Sequence, residues 1–250
     1  MTEPVDDQNI LNSKNKLTNT SQKKREVMEM FDSIARKYEF LNHFLSFGID
    51  RGWRKKAIKI MEGYPHKRIL DIATGTGDMT RMAARLKPEE IIGIDISLEM
   101  LKVQQHILQK KHMDHLIRLQ QAESEDLPFE SNSFDATTTA FGVRNFENLE
   151  KGLSEIHRVL RPGGVCIILE FSKPSKFPVR QFYNLYLNYF VPMVGRTISK
   201  NKSAYSYLSD TINSFPYGDD FVNILLKTGF TKSTCQPVSG GIASIYISEK

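Results

Sequence analysis

The sequence predicts a doubly wound α/β fold, a mostly parallel seven-stranded sheet with helices on both faces and a helical cap at the N-terminal end. Three observations carry this. From Arg68 onward, short apolar runs alternate with amphipathic stretches, the pattern of successive βαβ units. The first of those runs ends in a glycine-rich turn, Asp71-Ile72-Ala73-Thr74-Gly75-Thr76-Gly77. A later run, 165–171, is apolar almost throughout, as a strand covered on both faces requires.

Each element follows in order. Residues 1–22 are rich in Asn, Ser, Thr and Lys and read as a disordered tail. Residues 23–250 form a single domain. Apolar and charged residues mix at helical spacing over 27–60, broken from Ser46 to Gly48, which predicts two or three short helices in a cap spanning 23–66. The first strand is 69–73 and a helix follows at 78–85. The second strand, 91–96, leads into Ser97 as a helix cap with Glu99 in the first turn, and Met100, Leu101, Ile107 and Leu108 share one face of that helix. Strands three and four are 117–121 and 134–140. Leu149, Leu153, Ile156 and Leu160 trace a helix that stops at Pro162-Gly163-Gly164, before the fifth strand at 165–171. An aromatic, proline-containing insertion over 174–217 interrupts the alternation. A helix at 221–226 closed by Gly229, then strands at 230–235 and 242–247 around Gly240-Gly241, complete the sheet as a hairpin.

Composition narrows the classes. With 250 residues, 40% hydrophobic and 25% charged, the chain can bury one sizeable core. A net charge of +5 is only mildly basic, and no aromatic-basic platform for nucleobases is evident, so nucleic acid is not an expected partner. Cys166 and Cys235 lack metal-ligand spacing and read as free thiols in a reducing cytosol. The six histidines form no HxxxH or HExxH pattern, so no metal is expected. No apolar run is long enough to span a bilayer, and the expectation is a cytoplasmic protein.

The glycine-rich turn carries the chemistry. In an open parallel sheet, ligands bind beyond the carboxyl ends of the strands, where Gly75 and Gly77 let a ligand approach the backbone. Asp95 closes the second strand, placed to accept both hydroxyls of a ribose. A dinucleotide fold wants a third glycine where Thr80 stands, because a pyrophosphate sits on the helix N-terminus. Asp71 would repel a pyrophosphate and hold an ammonium, which favours S-adenosylmethionine over NAD. Past the third strand, Glu123 is placed to accept the adenine amino group and the backbone N–H of Ser124 to answer a ring nitrogen.

Three longer stretches are more specific: Tyr38-Glu39-Phe40-Leu41-Asn42 with Leu45-Ser46 and Trp53; Phe141-Gly142-Val143-Arg144-Asn145; and Arg158-Val159-Leu160-Arg161-Pro162-Gly163-Gly164 running on to Leu169-Glu170-Phe171-Ser172-Lys173-Pro174. They resemble signature stretches of the ubiquinone/menaquinone biosynthesis C-methyltransferases, and the likeness runs from Glu26 to the C-terminus. Glu39, Leu41, Asp50 and Glu123 depart from the residues usual there. The resemblance implies a Rossmann-like class I methyltransferase with cofactor contacts from Thr74, Asp95, Glu123 and Ser124. It also implies methylation of a ring carbon in a polyprenylated quinol, demethylmenaquinol to menaquinol, with benzoquinol against naphthoquinol left open; the alternative on the same fold is a methyltransferase acting on another small molecule or lipid.

A quinol carbon becomes nucleophilic when a neighbouring hydroxyl ionises. Arg144 is the candidate for stabilising that oxyanion and Asn145 for orienting a water or a quinol oxygen; for Arg144, an ion pair with Glu147 is the competing role. Arginine is too basic to act as a literal base. Asp50 and His43, on the cap, are alternative bases. Tyr38 and Trp53 read as cap packing. In the insertion, Phe182, Tyr183, Tyr186, Tyr189 and Phe190 share a helical face that suits core packing or, with Pro192 and Met193, a path for a prenyl tail. Arg196, Lys200 and Lys202 suit anionic headgroups at the inner membrane face, and the aromatic segment also suits a homodimer contact.

Overall fold

The computed structural model describes residues 21–46, 48–186, 189 and 202–250. Seven strands form one sheet in the order β3-β2-β1-β4-β5-β7-β6: β1 (Arg68–Ile72), β2 (Glu90–Asp95), β3 (Ile117–Gln121), β4 (Phe134–Ala140), β5 (Leu160–Phe171), β6 (Lys232–Val238) and β7 (Ala243–Glu249). The first five pair in parallel, and β7 runs antiparallel to both β5 and β6. Helices α1 (Gln22–Leu45) and α2 (Asp50–Met61) precede the sheet. Helices α3 (Asp78–Ala83), α4 (Leu98–Lys110) and α5 (Leu149–Val159) alternate with the strands, followed by α6 (Val179–Leu185), α7 (Lys202–Ser214) and α8 (Asp219–Lys227). This is the doubly wound fold that the sequence predicts.

Both faces of the sheet are buried because successive strand residues point to opposite sides and both sets are apolar. Ile69, Ile91 and Ile167 pack on one face with Trp53, Ala57 and Met61 of α2. Leu70, Ile92 and Ile168 pack on the other with Leu153 and Ile156 of α5 and Phe221 of α8. Each such side chain stabilises the fold by about 1.5–3 kcal/mol relative to leaving it in water. Two of the helices, α4 and α5, start at a side-chain cap. Ser97 Oγ accepts from the Met100 N–H at 3.1 Å, and the Asn148 side chain accepts from the Lys151 N–H at 3.0 Å.

Several boundaries differ from the sequence reading. The cap holds two helices separated at Ser46 to Gly48, as expected, but the first, α1, runs for 24 residues and is not short. The helix expected over 78–85 gives way after Ala83 to a 3-10 turn, Ala84–Leu86. Leu160 belongs to a strand, not a helix. It pairs with Phe134, and Val165 pairs with Ala136, so the residues between bulge out of β5. Gly163 there has φ +78°, and a Cβ on Gly164 would meet the Asp135 carbonyl at 2.7 Å. The final hairpin lies a few residues later than expected, its turn made by Gly240 and Gly241 at positive φ.

In the insertion, Tyr183 is buried, while Leu185 and Tyr189 are exposed. The expected tail up to residue 20, the Phe182 side chain, Phe190, Pro192, Met193, Arg196, Lys200 and the Lys202 side chain lie outside the described residues. So do the side chains of Tyr38 and His43. Among the described residues, no helix is long and apolar enough to cross a membrane.

Candidate active site

The turn after β1 is held by its neighbours in the sheet. The Thr74 N–H donates to the Ile94 carbonyl at 2.9 Å, and the Gly75 N–H donates to Asp95 Oδ2 at 2.8 Å. The other oxygen of Asp95 accepts from the Ser97 N–H at 2.9 Å. These two bonds fix the carboxylate at the end of β2 and leave it further lone pairs to offer a ligand. Burial pushes the Asp95 carboxyl up to about 6, against the pull of the two N–H donors, with Asp71 and Asp32 adding to the rise.

Asp71 plays a different part from the one the sequence suggests. It is buried, and accepts from Thr138 Oγ1 at 2.6 Å, Thr74 Oγ1 at 2.7 Å and Thr80 Oγ1 at 2.5 Å. Burial raises its pKa while the three hydroxyls oppose the rise. Rather than meeting an ammonium, the carboxylate rivets β1, the glycine turn, α3 and β4 together. Thr74, expected at the cofactor, therefore turns its hydroxyl inward and does not line the cleft.

A cleft open to solvent lies at this end of the sheet, at the carboxyl ends of the strands where ligands of such folds bind. Gly75, Asp95, Glu123, Ser124 and Asn145 all line it, as the sequence leads one to expect. Two non-glycine residues at its edge have positive φ, Ala73 at 52° and Phe141 at 62°. Such strain persists only where the surroundings hold it. Phe141 is held by Phe171 at 4.5 Å and Trp53 at 6.3 Å between ring centroids, with the Arg54 guanidinium over its face. Gly142 must lack a side chain, since a Cβ there would meet Ala73 Cβ at 2.6 Å.

The sequence reading missed one wall of the cleft. Lys24, Val27 and Phe31 of α1 close it, and Lys24 Nζ lies 2.7 Å from Glu123, 3.1 Å from Glu125 and 3.7 Å from Glu147. Burial depresses the Lys24 pKa, but the bonds to Glu123 and Glu125 outweigh it and hold the ammonium above its ordinary value. Farther along α1, Asp32 accepts from Ser97 Oγ and the Glu99 N–H, docking the helix on the start of α4. The apolar spacing of α1 was visible in the sequence, but nothing local marks Lys24 as a partner of acids about a hundred residues away.

Arg144 and Asn145 sit in a 3-10 turn, Val143–Asn145, just after β4. Arg144 Nη1 bonds Glu170 Oε1 at 2.7 Å and the Phe141 carbonyl at 2.6 Å, and its guanidinium lies over the Phe171 ring. The partner is thus Glu170, not Glu147, which faces Lys24. Glu170 is wholly buried and also accepts from the backbone N–H groups of Arg144 and Phe171. Arg144 is consequently half of a neutral buried pair behind the cleft wall instead of an isolated charge at a strand end. Its Nε and the Asn145 Oδ1 are buried without a partner among the described residues. Asp50 is buried in an ion pair with Arg54 and is no free base. Trp53 is packing, as expected, its Nε1 donating to Ser239 Oγ at 2.8 Å.

Residues 18–250 match the ubiE/COQ5 methyltransferase family. The chain belongs to that family. It is 42% identical to the demethylmenaquinone methyltransferase of Bacteroides fragilis over 93% of this chain and 96% of the relative. It is 42% identical to the ubiquinone/menaquinone biosynthesis C-methyltransferase UbiE of Geotalea daltonii over 92% of this chain and 98% of the relative. Among solved structures, it is similar in fold to a SAM-dependent methyltransferase of Thermotoga maritima, described as a possible histamine N-methyltransferase, with a TM-score of 0.60 at 18% identity over 89% of this chain and 99% of that one.

As a ubiE/COQ5 methyltransferase the chain is an enzyme that takes its methyl group from S-adenosylmethionine. The cleft suits that molecule. A desolvated carboxylate with spare acceptor capacity faces it from Asp95, and apolar Ile94, Met100 and Ala122 line the same cleft, as an aromatic base requires. No group of three or more His, Cys, Asp or Glu with metal-binding geometry occurs among the described residues.

Proposed function

We propose that this protein methylates a ring carbon of a polyprenylated quinol, converting a demethylmenaquinol to the menaquinol, as a single catalytic domain over residues 23–250. The observation that supports it most is the match of nearly the whole chain to relatives named for that reaction. Asp95 grips the ribose hydroxyls, and Glu123, held by Lys24, stands with the Ser124 backbone at the adenine edge; Gly75 lets the ligand approach the chain. When bound, S-adenosylmethionine supplies an electrophilic methyl group, whose bonding pair stays with sulfur as the ring carbon takes the methyl.

The remaining work falls to the protein. Arg144, fixed behind the cleft wall by Glu170 and the Phe141 carbonyl, sets the turn that carries Asn145 into the cleft. Asn145 holds the ring or a water beside it, and that water takes the proton that leaves the methylated carbon, because arginine is too basic to accept it. Helix α1 and the Phe141 turn supply two of the walls of the cleft. The prenyl tail runs along the insertion, and the exposed Phe177, Leu185 and Tyr189 touch the membrane face that holds the substrate.

The test supplies purified protein with labelled methyl donor and demethylated naphthoquinol or benzoquinol, each reduced and oxidised. Label entering the reduced naphthoquinol alone is the expected result. Equal labelling of the oxidised ring, or none in any quinol, refutes the proposal. Flotation with anionic vesicles checks the membrane contact separately, with no binding as the refuting result.

A further inference from the structure

Lys24, in the first turn of α1, presents a conflict. It lines the cleft together with Val27 and Phe31, at the i, i+3 and i+7 spacing of one helical stripe. Its side chain is 17% exposed, so the ammonium gives up much of its water, where an apolar residue would continue the stripe without that loss.

What the charge gains is a place between two loops. Glu123 and Glu125 come from the loop after β3 and Glu147 from the stretch after β4, and one ammonium meets all three at 2.7, 3.1 and 3.7 Å. All three acids line the cleft as well. Glu125 carries the tie further. It is 5% exposed, and its second oxygen accepts from the N–H groups of Glu147 at 2.8 Å and Asn148 at 3.1 Å. At the end of the helix, Ser21 Oγ accepts from the Lys24 N–H at 3.3 Å and donates to Glu147 at 2.6 Å. Helix α1, the loop after β3 and the turn after β4 therefore meet at a single charged centre.

We infer that Lys24 is a positioning residue for S-adenosylmethionine, locking these three walls at the spacing that receives the adenosine and acting through Glu123, Glu125 and Glu147. The inference rests on the reading of this cleft as the cofactor site and deepens it; it does not depend on which acceptor is methylated. Burial works against the ammonium, but the bonds to Glu123 and Glu125 hold its pKa above the ordinary value, so the centre stays charged. Two effects of that charge oppose each other. It repels a cationic cofactor, and it holds together carboxylates that would otherwise push the walls apart. The bonds act at contact distance in a half-buried site, whereas the sulfonium is separated from the base by the ribose and is screened, so the assembling effect wins.

The test is calorimetry on the full chain, comparing wild type, Lys24→Met and Lys24→Arg. Each is titrated with S-adenosylmethionine and with S-adenosylhomocysteine, which has the same adenosine but no sulfonium charge. Lys24→Met should bind both about tenfold more weakly and by the same factor, the low end of what losing a hydrogen bond between charged groups costs. Lys24→Arg keeps a cation within reach of the same carboxylates and should stay within about threefold of wild type. A Lys24→Met protein that binds both ligands as the wild type does overturns the inference. So does tighter binding of S-adenosylmethionine alone, which would make Lys24 only an opposing charge, or a loss that Lys24→Arg does not restore. If the wild type binds neither ligand, the cofactor reading of the cleft fails and takes this role with it; a wild type that binds beside an equal Lys24→Met sinks the positioning role alone.

Discussion

Cofactor affinity should fall steeply as the pH drops through the Asp95 titration. The carboxylate accepts from ribose hydroxyls only when ionised, and burial places its pKa at about 6 in the free protein. Affinity then scales with the ionised fraction. It is nearly full at pH 8, about half at pH 6 and about a tenth at pH 5. A carboxyl at its ordinary 3.8 would lose only about 6% of affinity at pH 5, so the two cases are well separated. The assay is isothermal calorimetry from pH 8 to pH 5, in paired buffers of different ionisation heat. Near pH 6 the binding should release about half a proton. The linkage has the opposite sign for the free protein. A raised carboxyl pKa contributes stability below the unfolded value of 3.8 and loses it as the pH rises through about 6, so ionised Asp95 destabilises the unliganded enzyme at neutral pH. Asp95→Asn should weaken cofactor binding by about 1.5–3 kcal/mol, or about 10- to 150-fold, and flatten the pH dependence. An affinity that stays level between pH 8 and pH 5 in the wild type refutes this reasoning.

Other outcomes follow from the same geometry. Arg144→Ala leaves the wholly buried Glu170 uncompensated and should cost about 3–5 kcal/mol in urea unfolding. Adding Glu170→Gln, which keeps an acceptor for one of the two backbone donors, should recover at least half of that, and no recovery would show that charge is not the cause. Gly77→Ala forces φ +86° on an alanine and drives its Cβ to 2.4 Å from Gln104 Nε2, so stability should drop by roughly 2–4 kcal/mol, read as a lower Tm. Lys24→Met should cost about 1 kcal/mol at neutral pH. The folded pKa of Lys24 is raised, so this contribution is present below 10.5 and disappears as the pH rises through the folded value; an equal difference between wild type and variant well above that range would contradict it.

How far the sequence reaches is clearest at individual residues. Strands β3 and β4 match the predicted ranges, and Asp95 and Gly75 stand where the glycine turn and the second strand imply. These depend on local pattern: a period of two along a strand, a turn that only certain residues allow, a cap at the next helix. Asp71 was legible as an acidic residue beside the turn, but its partner Thr138 lies 67 residues away and reverses the role inferred for it. Arg144 was legible as a candidate, but its pairing with Glu170 depends on β4 lying beside β5. The bulge at Arg161 to Gly164 read as a helix stop because proline and glycine give the same local signal in both settings.

The sequence by itself determined the fold, the strand ends that carry the cleft, and Gly75, Asp95, Glu123, Ser124 and Asn145 in its lining, because each is encoded in a short stretch whose sterics and apolar pattern act locally. Only the tertiary structure decided which charges meet which. It set Lys24 against Glu123, gathered three threonines on Asp71 and paired Arg144 with Glu170. A polar group's partner is fixed by the packing of distant segments, and no run of neighbouring residues contains that information.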